Sequence, residues 1–142
     1  MEYEELVRKA IDAQARAYAP YSRFRVGAAL LTKSGRVFTG CNVENASYGL
    51  SNCAERTAVF KAVSEGHHDF AAIAIVGDTS NFLSPCGACR QVLAEFGREV
   101  KVIMANSQGK YMVQTVEELL PGLFSRGELV KVGGTQEEEK NG

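Results

Sequence analysis

Ser84-Pro85-Cys86-Gly87-Ala88-Cys89-Arg90-Gln91 and, about thirty residues upstream, Cys53-Ala54-Glu55-Arg56 decide how this chain is read. Cys86 and Cys89, three residues apart, have an ordinary spacing for two zinc ligands. Cys53 precedes them by the span of one strand-helix return in an α/β sheet. The three thiols predict a zinc site with one coordination position open for chemistry. Glu55, two residues past Cys53, places an acid/base group beside it. Ligands with an adjacent carboxylate are what activation of a metal-bound water requires.

Working outward, both ligand groups fall at predicted helix starts, where free N–H groups and the helix dipole favour thiolate over thiol. Three thiolates and one zinc ion sum to −1, and two helix N-termini offset this by roughly half a charge each. Arg56, three residues from Cys53, is a candidate donor of hydrogen bonds to the sulfurs. Cys53 to Glu65 has the apolar spacing of a helix, with Ser51 or Asn52 as its cap and Gly66 at its C-terminal end. Cys86 to Phe96 predicts the second of these helices.

Before them, apolar residues at helical spacing predict a helix over Tyr3 to Tyr18, stopped by Pro20. Phe24 to Thr32 and Val37 to Cys41 predict an antiparallel hairpin turned at Gly35. Phe70 to Val76 is nearly continuous apolar sequence, as in a strand covered on both faces. Lys101 to Ala105 and Tyr111 to Val113 predict two more strands, the second returning antiparallel over a short loop, and Val116 to Leu120 a last helix. The fold class is α/β, with helices packed on a mixed central β-sheet and ligands near the carboxyl ends of its parallel strands. Gly35, Gly40 and Gly49 are expected at turns.

At 142 residues and 45% hydrophobic content the chain predicts one domain, placed at residues 1–132, with a mobile tail at 133–142. Sixteen basic and seventeen acidic side chains, scattered, offer no electrostatic footprint for nucleic acid. The start lacks the apolar run of a signal peptide and no segment resembles a membrane span, so a cytoplasmic location is expected. Disulfides are not expected there. Cys41 reads as a small packed side chain, with a fourth zinc ligand as the alternative. His67 and His68, past the helix end, are expected in solvent.

These motifs, with Ala19-Pro20-Tyr21-Ser22, Phe24, Val26 to Leu30 and Gly40-Cys41-Asn42-Val43-Glu44-Asn45-Ala46-Ser47-Tyr48, resemble the cytidine deaminase family, in its small three-cysteine type. Zinc deaminases pair H-x-E with P-C-x-x-C, and a three-cysteine form replaces the His, as Cys53 does here. The resemblance implies a three-layer α/β/α fold, one Zn2+ per subunit on Cys53, Cys86 and Cys89, and hydrolysis of cytidine or deoxycytidine to the uridine with release of ammonia. It makes Glu55 the proton shuttle, Asn42 and Glu44 partners of the ribose hydroxyls, and Phe24 and Phe124 aromatic partners of the base. Ala54 would offer a backbone N–H to the pyrimidine carbonyl. Ala46 and Tyr48 would reach a neighbouring subunit's site in a homotetramer serving pyrimidine salvage. The alternatives are a deaminase of another aminonucleoside and a closed, non-enzymatic four-cysteine zinc module.

Overall fold

Phe70–Gly77, buried along nearly its whole length, runs through the middle of a five-stranded sheet. The structure, a computed structural model, describes residues 1–124. In chain order these form α1 (Tyr3–Gln14), β1 (Val26–Thr32), β2 (Val37–Cys41), a 3-10 turn (Tyr48–Leu50), α2 (Ala54–Ser64), β3 (Phe70–Gly77), α3 (Gly87–Ala94), β4 (Lys101–Ala105), β5 (Tyr111–Thr115) and α4 (Val116–Leu119). The strand order is β2-β1-β3-β4-β5. Only β3 and β4 pair in parallel, with α3 as their crossover; the other neighbours are antiparallel.

The sheet separates two apolar layers. On one side Leu6, Val7 and Ala10 of α1 pack on Ala29, Ala74 and Ile103. On the other, Ala54, Ala58, Val59 and Ala62 of α2 and Leu93 of α3 pack on Leu30, Ile73, Ile75 and Val102. The expected α/β class with a mixed central sheet is therefore present as three layers. Fully burying a side chain such as Leu6 or Ile73 is worth about 1.5–3 kcal/mol. Two glycines set the interlayer distance. A Cβ on Gly27 would lie 2.0 Å from Ala10 O, and one on Gly40 would lie 2.6 Å from Ala54 O, so both helices rest directly on strand backbone. Gly40 is thus a packing residue inside β2 and not the expected turn residue.

Several boundaries differ from the sequence pattern for identifiable reasons. The helix expected to Tyr18 ends at Gln14, because the Tyr18 backbone instead bonds Asn42 and Glu44 at 2.9 and 2.8 Å as an isolated bridge. The strand expected from Phe24 begins at Val26, since the amides of Phe24 and Arg25 are taken by Ser22 Oγ and Asp78 Oδ2. Neither Ser51 nor Asn52 caps α2: Cys53 is itself the N-cap, with no side-chain bond, while Asn52 is held in a bridge to Val43. Gly49 sits in the 3-10 turn. The end of α2 is as expected: Gly66 has φ +90, and the N–H groups of Gly66 and His67 bond Val63 O and Ala62 O. His67 is not merely solvated, since its ring lies 5.1 Å from that of Phe38. The expected domain boundary near residue 132 and the tail beyond it lie outside the described residues.

Candidate active site

The loop leaving β2 and the loop leaving β3 each end on a cysteine that starts a helix. Cys53 is the N-cap of α2 and Cys86 the N-cap of α3, both in extended backbone, and Cys89 lies buried in the first turn of α3. The unpaired amides of two helix starts therefore surround the sulfurs. Cys53 Sγ lies 3.8 Å from Cys86 Sγ, and Cys86 Sγ lies 3.3 Å from Cys89 Sγ; all three are within 4.8 Å of one another. Tetrahedral zinc with bonds of about 2.3 Å needs sulfur separations of roughly 3.8 Å, so the cluster fits the ion with small adjustment. Among the described residues this is the one such group of His, Cys, Asp and Glu donors. Cys41 is not in it; it lines a small separate hollow with Arg16, Thr39 and Lys61.

Arg56 Nη2 donates to Cys53 Sγ at 3.2 Å, and its Nε is buried with no partner. The cation thus lies against the Cys53 sulfur, where its charge favours the thiolate. Hydrogen bonding with Cys89, reinforced by Arg56, draws the Cys53 thiol down to about 5. Cys89, as the donor to Cys53 and in a buried position, is pushed well up. Glu55 is 5% exposed, and burial, with the Cys53 charge beside it, raises its carboxyl above the usual range.

A cleft of about 480 Å³ opens over these groups. Its floor includes Cys53, Ala54, Glu55, Arg56 and Cys86, and its walls Phe24, Asn42, Glu44 and Tyr48. Of the residues singled out from the sequence, Ala46 and Phe124 are not brought to it by the single chain. Ala46 is exposed, and Phe124, 58% exposed, borders a different hollow with Arg98 and Glu117.

Asn42 Oδ1 accepts from Val26 N–H and Nδ2 donates to Phe24 O, each at 2.9 Å, which fixes the amide's orientation. One N–H of that amide remains for a ligand. Glu44 Oε1 accepts from the amides of Tyr21 and Ser22 at 3.0 and 3.1 Å, and Oε2 accepts from Ser22 Oγ. Those bonds, the Ser22 hydroxyl foremost, hold the Glu44 carboxyl below its usual range.

Ser22, Val26, Asn52, Leu83 and Ser84 also line the cleft, although nothing in the sequence assigned them a role in the site: Ser22, Val26 and Ser84 stand only within the family-like motifs, and Asn52 as a cap candidate. Gly77, behind two of the lining residues, supports them. A Cβ there would lie 2.8 Å from the tip of the Phe24 ring and 2.9 Å from Leu83, so its bareness lets both reach their places.

The fold and site define a zinc-dependent hydrolytic enzyme. Residues 1–105 match the family described as the cytidine and deoxycytidylate deaminase zinc-binding region, and the chain belongs to that family. It is 58% identical over 126 residues to a cytidine deaminase of Halalkalibacterium halodurans, covering 88% of this chain and 96% of that one. To a cytidine deaminase of Sporosarcina psychrophila it is 51% identical over 130 residues, 91% and 96% of the two chains. The crystal structure of a cytidine deaminase from Burkholderia pseudomallei superposes with a TM-score of 0.85 at 54% identity, over 87% of this chain and 100% of that one. Among the described residues, no helix is long and apolar enough to cross a membrane.

Proposed function

We propose that this protein hydrolyses free cytidine and deoxycytidine to uridine and deoxyuridine, releasing ammonia. The observation that carries the reading is one cleft with a three-thiol site and a buried carboxyl on its floor and two oriented polar side chains, Asn42 and Glu44, on its wall. Held by Cys53, Cys86 and Cys89, zinc supplies the Lewis acidity that lowers the pKa of a water.

The remaining work falls to the chain. Ala54 is the first residue of α2, and its N–H, with no partner inside the helix, faces the pyrimidine carbonyl. The Phe24 ring packs against the base. Glu55, with its raised pKa, takes a proton from the attacking water and gives one to ring nitrogen N3. It then takes the proton still on the oxygen added at C4 and delivers it to the 4-amino group, which leaves as ammonia while that oxygen stays on C4 as a carbonyl. Arg56 keeps Cys53 a thiolate through its 3.2 Å bond. Asn42 donates to a sugar hydroxyl whose own proton goes to Glu44.

Ala46, Tyr48 and Phe124 serve a shared site in a homotetramer; their exposure in the single chain, 78% for Tyr48, supports this assignment. We place the enzyme in cytoplasmic pyrimidine salvage, where four free cysteines are stable as thiols. The test is incubation of the zinc-loaded protein with cytidine. Uridine and ammonia in equal amounts are expected, and no turnover with zinc verified in place would overturn the assignment. Light scattering should give four chains per particle.

A further inference from the structure

We propose that Ser22 is a positioning residue for sugar recognition, orienting Glu44 through its hydroxyl, whose direction the Phe24 N–H fixes. The inference rests on reading Asn42 and Glu44 as the partners of a sugar hydroxyl, and it adds a residue on the opposite loop that makes them selective.

Ser22 Oγ accepts the Phe24 N–H at 3.0 Å and donates to Glu44 Oε2. The direction is forced. An amide can only donate and an ionised carboxylate can only accept, so the single hydroxyl proton must point to Glu44. Such a chain polarises each bond in it. Its two ends are both walls of the cleft, and Phe24 O in turn receives Asn42 Nδ2 at 2.9 Å. One hydroxyl thereby links the residue facing the base to both residues facing the sugar.

Counting acceptor sites defines the subsite. An ionised carboxylate offers about four lone-pair sites. On Glu44 three are filled, by the amides of Tyr21 and Ser22 and by the Ser22 hydroxyl. One remains for a ligand, so the subsite takes a single hydroxyl as donor. The loop is held for this purpose in an unfavourable shape: Arg23 has φ 58, a conformation that residues with a Cβ avoid, and its amide bonds Ala19 O at 3.0 Å. Without the Ser22 hydroxyl, Glu44 Oε2 is released and the carboxylate can rotate away from the remaining amides.

The test compares the zinc-loaded enzyme and its Ser22→Ala, Ser22→Thr and Glu44→Gln variants on cytidine and on 2′,3′-dideoxycytidine, which lacks the sugar hydroxyls concerned. Ser22→Ala should lower kcat/KM for cytidine on the order of tenfold, chiefly through KM. Dideoxycytidine should change less than about twofold, and Ser22→Thr, which keeps the hydroxyl, should restore the preference. Equal loss on both substrates, or no loss on either, would overturn the role of Ser22. If Glu44→Gln abolishes the preference while Ser22→Ala leaves it intact, the inference fails and the reading of Glu44 stands. If Glu44→Gln leaves the preference unchanged, the reading of Glu44 fails and the inference with it.

Discussion

Replacing Glu55 by Gln separates what this carboxyl does for the reaction from what it costs the fold. The side chain keeps its size in a position only 5% exposed, so packing against α2 and the cleft floor is preserved. What disappears is the capacity to take up and release a proton. General acid/base catalysis by one positioned group contributes about a hundred- to ten-thousandfold, and turnover of the zinc-replete variant should fall by that factor. Stability should move in the opposite direction. Burial raises the Glu55 pKa above its ordinary 4.5, so as pH rises past that value the unfolded chain loses the proton before the folded one does. The metal-free wild type therefore loses stability as pH rises from 4.5 through the raised value, and Gln, which never ionises, does not.

Leaving a buried polar group poorly solvated costs about 1–3 kcal/mol, which for a chain of this size is roughly 3–10 °C in Tm. Thermal melts of both metal-free proteins from pH 4.5 to pH 8 should thus diverge with increasing pH, the variant melting higher. Turnover and zinc content are measured on the loaded proteins at pH 7. A zinc-replete Glu55→Gln enzyme within tenfold of wild-type turnover would refute the proton-shuttle role. Melting curves that track one another at every pH would refute the burial argument.

Cys53 is drawn down from an ordinary 9.0 to about 5, so the stability it contributes is present above the ordinary thiol range and is lost as pH falls toward 5. Zinc content after dialysis should hold at pH 7 and fall as the pH is lowered, because protons compete with the metal for the sulfurs. Gly27→Ala puts a Cβ 2.0 Å from Ala10 O, which only a backbone shift relieves; a loss of about 1–3 kcal/mol in urea unfolding is expected. Arg90 donates to Pro85 O at 2.9 Å, Ser84 Oγ at 2.7 Å and Leu119 O at 2.5 Å, tying the loop before Cys86 to the end of α4. Arg90→Ala should lower stability by about 2 kcal/mol or more and speed zinc loss to a chelator. Cys41→Ser, at a hollow apart from the cluster, should keep full zinc and activity; loss of zinc would favour the closed four-cysteine site.

What was legible in sequence was whatever chemistry writes locally. Thiols three residues apart, a carboxylate two past a third thiol, and the continuous apolar run of β3 each state their role within a few residues, and the three sulfurs do converge. Arg56, three residues past Cys53, is within reach of that sulfur by helical spacing, though the same spacing suits a solvent-facing residue, and it is found bonded to it. Less legible was anything decided by a partner far along the chain. Phe24 and Arg25 look like strand residues, but Ser22 and Asp78 take their amides, and the latter lies 53 positions away. Tyr18 continues a helical pattern, yet backbone bonds to Asn42 and Glu44 hold it alongside the segment that carries them. Propensity is a weak prior where such bonds compete with it.

The glycines carry the remaining information, because the absence of a side chain has no periodicity to detect. Gly40 lets α2 lie with Ala54 O and Ala58 N each 2.6 Å from where a Cβ would be, which sets the height of the α2 start above the sheet. Cys53 and Glu55 ride on that start, so a residue in β2 that touches no sulfur still controls the placement of one thiol and the carboxyl. Gly77 acts likewise at the end of β3, admitting the Phe24 ring and Leu83 where the chain turns toward Cys86. The thiols and carboxyl are supplied at two helix starts, but their registration comes from close approaches that only missing Cβ atoms permit. A side chain at Gly40 should therefore impair zinc retention and turnover together, whereas one at Gly77, beyond the reach of the sulfurs but against Phe24, should raise KM first.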